Sequence, residues 1–300
     1  MGEDSADARL TGWQRLASRS LAKHAGKRPG EPLAPDDWQA YFDFSTTRSS
    51  RLTQRLMLSL PSSPRCGMCG APFAGIGGRL VRPLGYRPSR KNPTLCATCV
   101  ELAPPGGMTT EVGVLFADLR GFTARSEAIT PQEASGLLRR FYAVAEDVLF
   151  PKAMIDKLIG DEVMALYLPF YVAKSSWSPD DADRRTVANL MLEHARGLLE
   201  GLGYGGPGGP VLDLGVGLDY GEAFVGNIGG TDAVSDFTAV GDVVNTAARL
   251  QSCASSGEVL VAERLARFLD EPAGPLELVA LKGKHEPVAA QRVRWFPKHS

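Results

Sequence analysis

The pattern of apolar and polar positions becomes regular after about residue 110. Short apolar runs then alternate with amphipathic segments, which predicts strands interleaved with helices. The predicted helices cover residues 131–150, 181–202 and 243–253. The predicted strands cover residues 114–117, 154–168 (a hairpin turning at Gly160 and Asp161), 211–228, 259–261 and 276–295, the last with two edge strands. Strands mixed with helices and including a hairpin indicate an α+β sheet with helices on one face.

Before residue 110 the pattern is weaker. A thin apolar stripe predicts a helix over residues 11–25, which the prolines within residues 29–35 end. Acidic residues suited to a first turn place the start of a second helix near Asp36 or Asp37. This helix carries Trp38, Tyr41 and Phe42, and we interpret aromatic residues at such spacing as packing rather than as a cofactor site. Its continuation over residues 51–60 carries apolar side chains at helical spacing: Leu52, Leu56, Met57 and Leu60.

The length of 300 residues favours two domains of unequal size. We predict an N-terminal helical region at residues 1–62 and a cysteine-containing module at 63–102. A short linker rich in proline and glycine follows at 103–110, and the larger α+β domain covers 111–296. The linker sets the cysteine module almost directly against the first strand of the larger domain.

Composition narrows the class of protein. A hydrophobic fraction of 44% suits a full core, and a net charge of −1 gives no indication of nucleic acid or an acidic membrane surface as a partner. No apolar run is long enough to span a bilayer, and the N-terminus lacks the apolar stretch of a signal peptide. We expect a cytoplasmic protein whose five cysteines are metal ligands or free thiols rather than disulfides.

Four of the cysteines form two CxxC pairs, Cys66 with Cys69 and Cys96 with Cys99. Each pair forms a knuckle with small residues between the thiols, so four thiolates can converge tetrahedrally on one ion. The intervening segment is longer than in a usual zinc ribbon, and a loop accounts for the difference. Because the protein fills all four positions, the predicted role is structural. Zn²⁺ is the first choice, and an iron–sulfur cluster uses the same four ligands.

The candidate chemistry begins in residues 114–123. A short apolar run ends at Asp118, Gly121 permits a tight turn, and Thr123 is predicted to cap the next helix. A carboxylate at a strand end beside free backbone N–H groups describes a site for a metal-bound polyphosphate. An aspartate at a strand–turn–helix junction is also common without such a role, so this stretch alone leaves both interpretations open.

A second carboxylate gives the first one a partner. Asp161 at the hairpin tip is expected to face Asp118 across neighbouring strands, and two such carboxylates can hold two divalent ions for an in-line phosphoryl displacement. Lys157, four residues earlier, shares Asp161's side of the strand. Asn245 and Arg249 share one face of the last long helix. Taken singly, each of these is an ordinary surface residue.

Residues from about 111 to 294 resemble the catalytic domain of class III nucleotidyl cyclases. Three motifs stand in the order that the family has: VLFADLRGFT from Val114, DKLIGD ending at Asp161, and FTAVGDVVNTAAR ending at Arg249. The resemblance implies a palm-like fold with a mixed, largely antiparallel sheet. It also implies an adenylate cyclase that converts ATP to 3′,5′-cyclic AMP and pyrophosphate with two Mg²⁺ or Mn²⁺ ions.

The same resemblance assigns the metal and substrate contacts of the first two motifs. Asp118 and Asp161 match the two metal-binding carboxylates, and the backbone of Leu119 joins them. Phe122 and Thr123 match positions that contact the substrate. No histidine falls inside these motifs, which fits activation of the ribose oxygen by a metal ion in place of a side-chain base.

Four further residues match the family's nucleotide contacts. Lys157 and Thr238 match the pair that reads the purine. Guanylate cyclases of the family carry an acidic residue at the lysine position, so this pair favours ATP. Asn245 matches the residue that orients the ribose, and Arg249 the one that stabilises charge on the α-phosphate.

The resemblance also implies an assembly. Family members build each site at a dimer interface, with metals from one subunit and the purine, ribose and phosphate contacts from the other. This chain holds both sets, which implies a homodimer with two equivalent sites. The subgroup with threonine at the purine position includes bicarbonate-responsive enzymes.

The basic residue that often holds the β- and γ-phosphates in the family has no clear match in this sequence, so Lys282 or Lys284 replaces it or nothing does.

Several alternatives remain open from the sequence. One is a guanylate cyclase, and another is a catalytically silent homologue that binds nucleotide as a regulator, although neither aspartate, Asn245 nor Arg249 is missing. The hairpin also resembles that of diguanylate cyclases, which lack the third motif. A nucleic-acid-binding cysteine module is the fourth, and the near-neutral charge argues against it.

Overall fold

The computed structural model describes residues 10–61, 64–89, 93–150, 152–173, 178–231, 234–271 and 273–294. The chain divides into two compact units. The first combines Met1–Thr109 with Phe224–Ala239, and the second combines Thr110–Ala223 with Val240–Ser300. Nothing in the sequence pattern indicated that residues 224–239 group with the N-terminal region. The predicted four-segment division remains a prediction, and its limits at residues 62–63 and 295–296 lie outside the described residues.

The N-terminal part of the first unit is helical. Its helices are α1 (Gly12–His24), α2 (Trp38–Thr46), α3 (Arg48–Ser59), α4 (Gly75–Val81) and α5 (Ala97–Glu101). Helix α1 begins where predicted because Thr11 and Gln14 form a capping box, in which each side chain accepts from the other residue's amide. The predicted continuation of the second helix is a separate helix, because Thr47 leaves the helical conformation and caps α3.

The apolar stripe of residues 51–60 is only partly buried. Met57 is buried, whereas Leu52 and Leu56 are 68% and 63% exposed. The helical spacing is real, but nothing among the described residues covers that stripe. Tertiary packing, which the spacing alone does not report, decides which side of an amphipathic helix is buried.

Eight strands form one mixed sheet. They are β1 (Gly107–Leu119), β2 (Met154–Ile159), β3 (Glu162–Tyr167), β4 (Leu214–Thr231), β5 (Val234–Val240), β6 (Glu258–Ala262), β7 (Leu276–Val279) and β8 (Val288–Arg294). Their order is β2-β3-β1-β4-β6-β8-β7, and β5 pairs with β4. Strands β4 and β6 run parallel, whereas β1–β3, β2–β3, β6–β8 and β7–β8 are antiparallel. The predicted α+β sheet is therefore confirmed. Only one of the two last strands, β7, is an edge, because β8 pairs on both sides.

The helices of the second unit are α6 (Phe122–Glu127), α7 (Pro131–Leu149), α8 (Pro169–Val172), α9 (Asp181–Gly201), α10 (Asp242–Cys253) and α11 (Glu263–Ala266). Strand β6 shows that both faces of the sheet are covered. Val259 and Val261 belong to the core cluster that contains α7 and α9, whereas Leu260 belongs to a cluster with Leu250 of α10. Alternate residues of a strand point to opposite faces, so the expectation of helices on one face is wrong.

Two glycines of β4 let other parts of the second unit approach closely. A Cβ atom at Gly217 would lie 2.3 Å from the Ala247 carbonyl oxygen and from the Gln251 amide nitrogen of α10. A Cβ atom at Gly215 would lie 2.4 Å from Nε of Arg120. Because both distances are far inside van der Waals contact, the absence of a side chain on β4 sets the position of α10 on the sheet.

His194 of α9 makes the stability of the second unit depend on pH. The ring is 5% exposed and its Nδ1 is hydrogen-bonded to the Tyr167 hydroxyl at 2.9 Å. Burial, together with the positive charge of Lys152, lowers the pKa of His194 to about 4. The unfolded state therefore binds this proton more readily between pH 6.5 and 4.

We expect the free energy of unfolding to fall by up to about 3 kcal/mol from this group as the pH is lowered from about 6.5 to about 4. Above pH 6.5 the contribution is constant, because the ring is neutral in both states. Chemical denaturation of the wild type and of His194→Gln across this range measures it. The difference between the two curves should shrink towards acid, and parallel curves would contradict the assignment.

Candidate active site and candidate metal centre

The end of β1 brings the two predicted metal carboxylates to neighbouring strands. Asp118 is the penultimate residue of β1 and stands opposite Glu162 in the antiparallel pairing with β3. The next amide, that of Leu119, donates to the Asp161 carbonyl oxygen at 3.1 Å. Asp118 and Asp161 thus lie at the same edge of the sheet, the one formed by strand ends, where the hairpin between β2 and β3 turns. The metal role of these residues remains a prediction.

This edge carries more negative than positive charge. Burial raises the pKa of Asp118, Arg120 opposes the shift, and the charge of Asp161 adds to it. Burial raises the pKa of Glu162 as well, and the charges of Asp118 and Asp161 raise it further. Oxygen ligands that repel one another in this way fit a hard divalent cation such as Mg²⁺ or Mn²⁺.

The carboxylates do not form a closed cage. Within the part of the chain that the structure describes, the four cysteines alone place three or more possible ligand atoms within 4.8 Å of one another. An ion on one or two carboxylates therefore keeps positions for water and for substrate oxygens. That open coordination suits a metal that handles phosphate groups.

The turn after β1 differs from the prediction in two respects. Gly121, with φ of 68°, is the residue before α6, so Thr123 is not the cap; it lies exposed in the first turn. Phe122 packs against the main core cluster. The turn also offers fewer free N–H groups than expected, since the amide of Arg120 donates to the Asp213 carbonyl at 2.8 Å and that of Leu119 is occupied.

Arg120 is a residue that the sequence argument missed. One guanidinium nitrogen lies 3.5 Å from Asp118 Oδ1, and another donates to the Gln251 carbonyl oxygen at 2.5 Å. It therefore ties the carboxylate at the end of β1 to the helix that carries Asn245 and Arg249. Its position two residues after Asp118 was a sequence signal for a role at this site, but Gln251, its hydrogen-bond partner, is distant in sequence.

Lys157 pairs with a residue that sequence reasoning also missed. Its Nζ lies 3.1 Å from Oδ2 of Asp156, whose side chain is fully buried. The register of β2 against β3 shifts between Ile155 and Lys157, which lets both neighbouring side chains take these positions. A buried acid next to the lysine restricts the ammonium group to one side of the strand.

Helix α10 presents the predicted ribose and phosphate contacts. Asn245 is exposed and Arg249 is half-buried. The guanidinium of Arg249 lies 3.4 Å from the position of a Cβ atom at Gly283, and Lys284 contacts Asp242 at 2.5 Å. Of the two lysines considered for the outer phosphates, Lys284 is thus held at the first residue of this helix. Its ammonium group lowers the pKa of Asp242.

Thr238, the predicted partner of Lys157 in reading the purine, lies in β5 and belongs to the first unit. It is half-buried. The preceding side chain, Phe237, is 1% exposed, and its ring centroid lies 5.9 Å from that of Trp38 in α2. The segment that carries Thr238, the predicted purine contact, is therefore packed on helix α2.

The four cysteines form a group that can hold a metal ion. Their sulfur atoms all lie within 4.8 Å of one another, with 3.6 Å between Cys69 and Cys96. Backbone amides point at the sulfurs: that of Cys96 donates to Cys66 at 3.1 Å, and that of Cys99 to Cys96 at 3.3 Å. None of the four is in a disulfide. The convergence expected from the two CxxC pairs is confirmed.

The thiols cannot all be charged without a cation. Burial acts to raise the pKa of Cys66, but hydrogen bonds from the other three thiols outweigh it and lower that pKa well below its usual value. Burial and the hydrogen bond to Cys66 raise the pKa of Cys96, and hydrogen bonds to the other thiols raise that of Cys99. The thiolate form is therefore favoured at Cys66 and disfavoured at Cys96 and Cys99, whereas a bound divalent ion favours the thiolate form of each of its ligands.

Fold and site together define a nucleotidyl cyclase catalytic domain. Residues 107–289 match the family described as "Adenylate and Guanylate cyclase catalytic domain", and the chain belongs to that family. The predicted recognition of a class III cyclase is thereby confirmed. No helix among the described residues has the length and apolar character needed to cross a membrane.

Two curated relatives are similar over the same region. An "Adenylate cyclase" of Anabaena cylindrica is 29% identical over 212 residues, which cover 64% of this chain and 40% of the relative. An uncharacterized protein of Mycobacterium tuberculosis is 34% identical over 193 residues, covering 62% of this chain and 42% of the relative. The chain thus spans about two fifths of the length of these relatives.

Solved structures confirm the fold. The crystal structure of the guanylyl cyclase Cya2 superposes with a TM-score of 0.51 at 25% identity, covering 65% of this chain and 98% of that chain. The guanylate cyclase domain of RhGC from Catenaria anguillulae, in complex with GTP, gives 0.50 at 18% identity, covering 63% and 100%. The second similarity concerns the fold alone.

Proposed function

We propose that the protein is an adenylate cyclase that converts ATP to 3′,5′-cyclic AMP and pyrophosphate. The observation that carries this proposal is the pair Asp118 and Asp161 at one edge of the sheet, with Arg120 tying that edge to the helix of Asn245 and Arg249. An acidic, open-sided site of this kind suits two Mg²⁺ or Mn²⁺ ions and a triphosphate.

Each residue has a separate role in the proposed reaction. Asp118 and Asp161 would hold the ions, which when bound activate the ribose 3′-oxygen and neutralise phosphate charge. Asn245 orients the ribose so that its 3′-oxygen lies in line with the leaving pyrophosphate. Arg249 places a fixed positive charge at the α-phosphate, where negative charge grows in the transition state. Lys284, held at the start of α10, is the candidate for the outer phosphates.

The proposed assembly is a homodimer with two composite sites. The resemblance to the family assigns the carboxylates to one subunit and Lys157, Thr238, Asn245 and Arg249 to the other. A two-fold axis then produces two equivalent sites from one chain. Free thiols and an ATP substrate are consistent with a cytoplasmic location, which we include in the proposal.

The first test is a direct assay of the purified protein with ATP or GTP and with Mg²⁺ or Mn²⁺. We expect cyclic AMP and pyrophosphate in equal amounts from ATP and little product from GTP. Cyclic GMP as the main product would identify GTP as the substrate in place of ATP, an outcome that the similarity to the guanylyl cyclase Cya2 gives reason to test. No product with either nucleotide would favour the catalytically silent, nucleotide-binding alternative.

Charge reversal at the purine position tests the choice of ATP. We expect Lys157→Glu to lower kcat/KM for ATP by about 10- to 100-fold, because the proposed half-buried donor to the purine is lost and the new carboxylate lies next to the buried Asp156. Lys152→Glu makes the same charge change at an exposed residue and should retain activity. Equal effects of the two substitutions would argue against a purine contact at Lys157.

A further inference from the structure

The cysteine cluster has the spacing of a tetrahedral metal site. With a metal–sulfur distance near 2.3 Å, tetrahedral thiolates lie about 3.8 Å apart. The four sulfurs here lie within 4.8 Å of one another, and one pair is separated by 3.6 Å. Cys66 and Cys96 are buried, so an ion bound here would be shielded from water.

One side chain contacts both knuckles of this cluster. The hydroxyl of Tyr41 in α2 donates to the carbonyl oxygen of Cys99 at 2.6 Å and lies 3.4 Å from the sulfur of Met68. Met68 is inside the first CxxC pair and Cys99 closes the second. The Tyr41 ring is 6% exposed. Helix α2 therefore rests on the two segments whose relative position a bound ion would fix.

The same helix holds the segment with Thr238. The ring centroid of Trp38 lies 5.5 Å from that of Tyr41 and 5.9 Å from that of Phe237, the residue before Thr238. Trp38 and Phe237 are each 1% exposed, so the two rings pack against each other in the interior of the first unit. These contacts form a continuous path within the first unit, from the thiols through α2 to β5.

Strand β4, which pairs with β5, is fixed to the linker at residues 103–110. The side-chain amide of Asn227 in β4 donates to the Pro104 carbonyl oxygen at 3.1 Å. The backbone amide of Asn227 donates to the Gly106 carbonyl oxygen at 2.8 Å. Trp38 donates from Nε1 to the Pro105 carbonyl oxygen at 3.0 Å. Helix α2 and strand β4 are thus both hydrogen-bonded to the same linker, which reinforces the path through the aromatic rings.

We infer that Cys66, Cys69, Cys96 and Cys99 bind one Zn²⁺, and that this ion positions the β5 segment carrying Thr238 through Tyr41 and Trp38. The ion would coordinate all four sulfurs as thiolates, any proton still on a thiol would pass to solvent, and no electron is transferred. Loss of the ion frees the two knuckles from each other, removes the support of α2 and loosens β5. The consequence for nucleotide affinity rests on the proposed function of Thr238, whereas the metal and the packing do not.

Two variants test the inference in the whole 300-residue chain. Tyr41→Phe removes the hydroxyl that contacts both knuckles and keeps the ring. Tyr86→Phe is the matched control. Its hydroxyl also lies near the cysteines, whose charge acts on it, but it accepts a hydrogen bond from Trp13 of α1 at 2.8 Å, so this substitution removes a hydroxyl near the cluster and leaves the Tyr41 contacts of α2 in place. Metal content, amide hydrogen exchange of Val234–Val240, and KM and kcat for ATP are measured for each.

We expect one zinc per chain in all three proteins. Exchange in β5 should be about tenfold faster in Tyr41→Phe than in the wild type or in Tyr86→Phe. Removing zinc with a chelator should have at least as large an effect on β5. KM for ATP should rise about threefold or more in Tyr41→Phe, with a smaller change in kcat.

Other outcomes would overturn the inference in separate ways. Iron with sulfide, or no metal at all, would exclude the zinc assignment. Unchanged β5 exchange in both Tyr41→Phe and the zinc-depleted protein would exclude the path through α2. If the wild type makes no cyclic nucleotide, the proposed function fails, and metal content and exchange still decide the inference.

Discussion

An equimolar mixture of Asp118→Ala and Arg249→Ala proteins is expected to recover on the order of a quarter of the wild-type activity, although each variant alone is inactive. Random exchange of subunits makes half of the dimers mixed. In each mixed dimer one site contains both defects and the other contains neither. Cyclic nucleotide production by the mixture, after incubation long enough for subunits to exchange, measures the recovery.

The size of each single defect has its own reason. In the proposed reaction Arg249 acts on charge that develops only in the transition state, so its loss should lower kcat by about 10²- to 10³-fold with a much smaller effect on KM. Asp118 would hold ions that the reaction requires, so its loss should reduce activity at least as strongly.

A second mixture serves as the control. Asp118→Ala and Asp161→Ala remove members of the same half-site, so every mixed dimer has a defect in both sites and no recovery is expected. Recovery in this mixture would show that the two carboxylates come from different subunits. Absence of recovery in the first mixture would exclude composite sites and leave each chain with a site of its own.

Gly217→Ala should destabilise the second unit and abolish most of the activity. The added Cβ would lie 2.3 Å from the Ala247 carbonyl oxygen and the Gln251 amide nitrogen. These are backbone atoms of a helix, so only a shift of α10 away from β4 relieves the clash. We expect the free energy of unfolding to fall by about 3 kcal/mol and Tm by roughly 10 °C, because α10 packs over Leu260. Activity should fall because the same helix carries Asn245 and Arg249.

Gly136→Ala is the matched control, since its added Cβ has nothing within 4 Å and lies in α7. It should leave activity unchanged and stabilise the protein by up to about 1 kcal/mol through helix propensity. Thermal unfolding and the cyclase assay on both variants make the comparison. A Gly217→Ala protein with normal Tm and turnover would show that α10 is not held on β4 as described.

Long periodic segments were predictable because the sequence itself contains their signals. Helices α7 and α9 begin where expected, each with a capping box, and the hairpin of β2 and β3 turns at Gly160 and Asp161. The convergence of the four cysteines also followed from their spacing. These features depend on residues that are close in sequence or on one repeated pattern.

Features that depend on distant partners were missed or misjudged. The turn after β1 is capped by the left-handed backbone of Gly121 rather than by a hydroxyl. Arg120 reaches Gln251, and Lys157 uses the buried Asp156 as its partner. Both faces of the sheet are covered because α10 fits against glycines of β4, and a strand pattern does not record which helix will pack on it.

The grouping of residues 224–239 with the N-terminal region limits how the protein can be divided. A fragment that begins at residue 111 would retain all three cyclase motifs yet leave the ring of Phe237 without Trp38, and Asn227 without its linker carbonyl. The N-terminal hundred residues are therefore not an exchangeable cassette attached to a self-sufficient enzyme. They supply part of the hydrophobic interior around a strand of the enzyme itself, so substitutions in either segment are expected to be selected together.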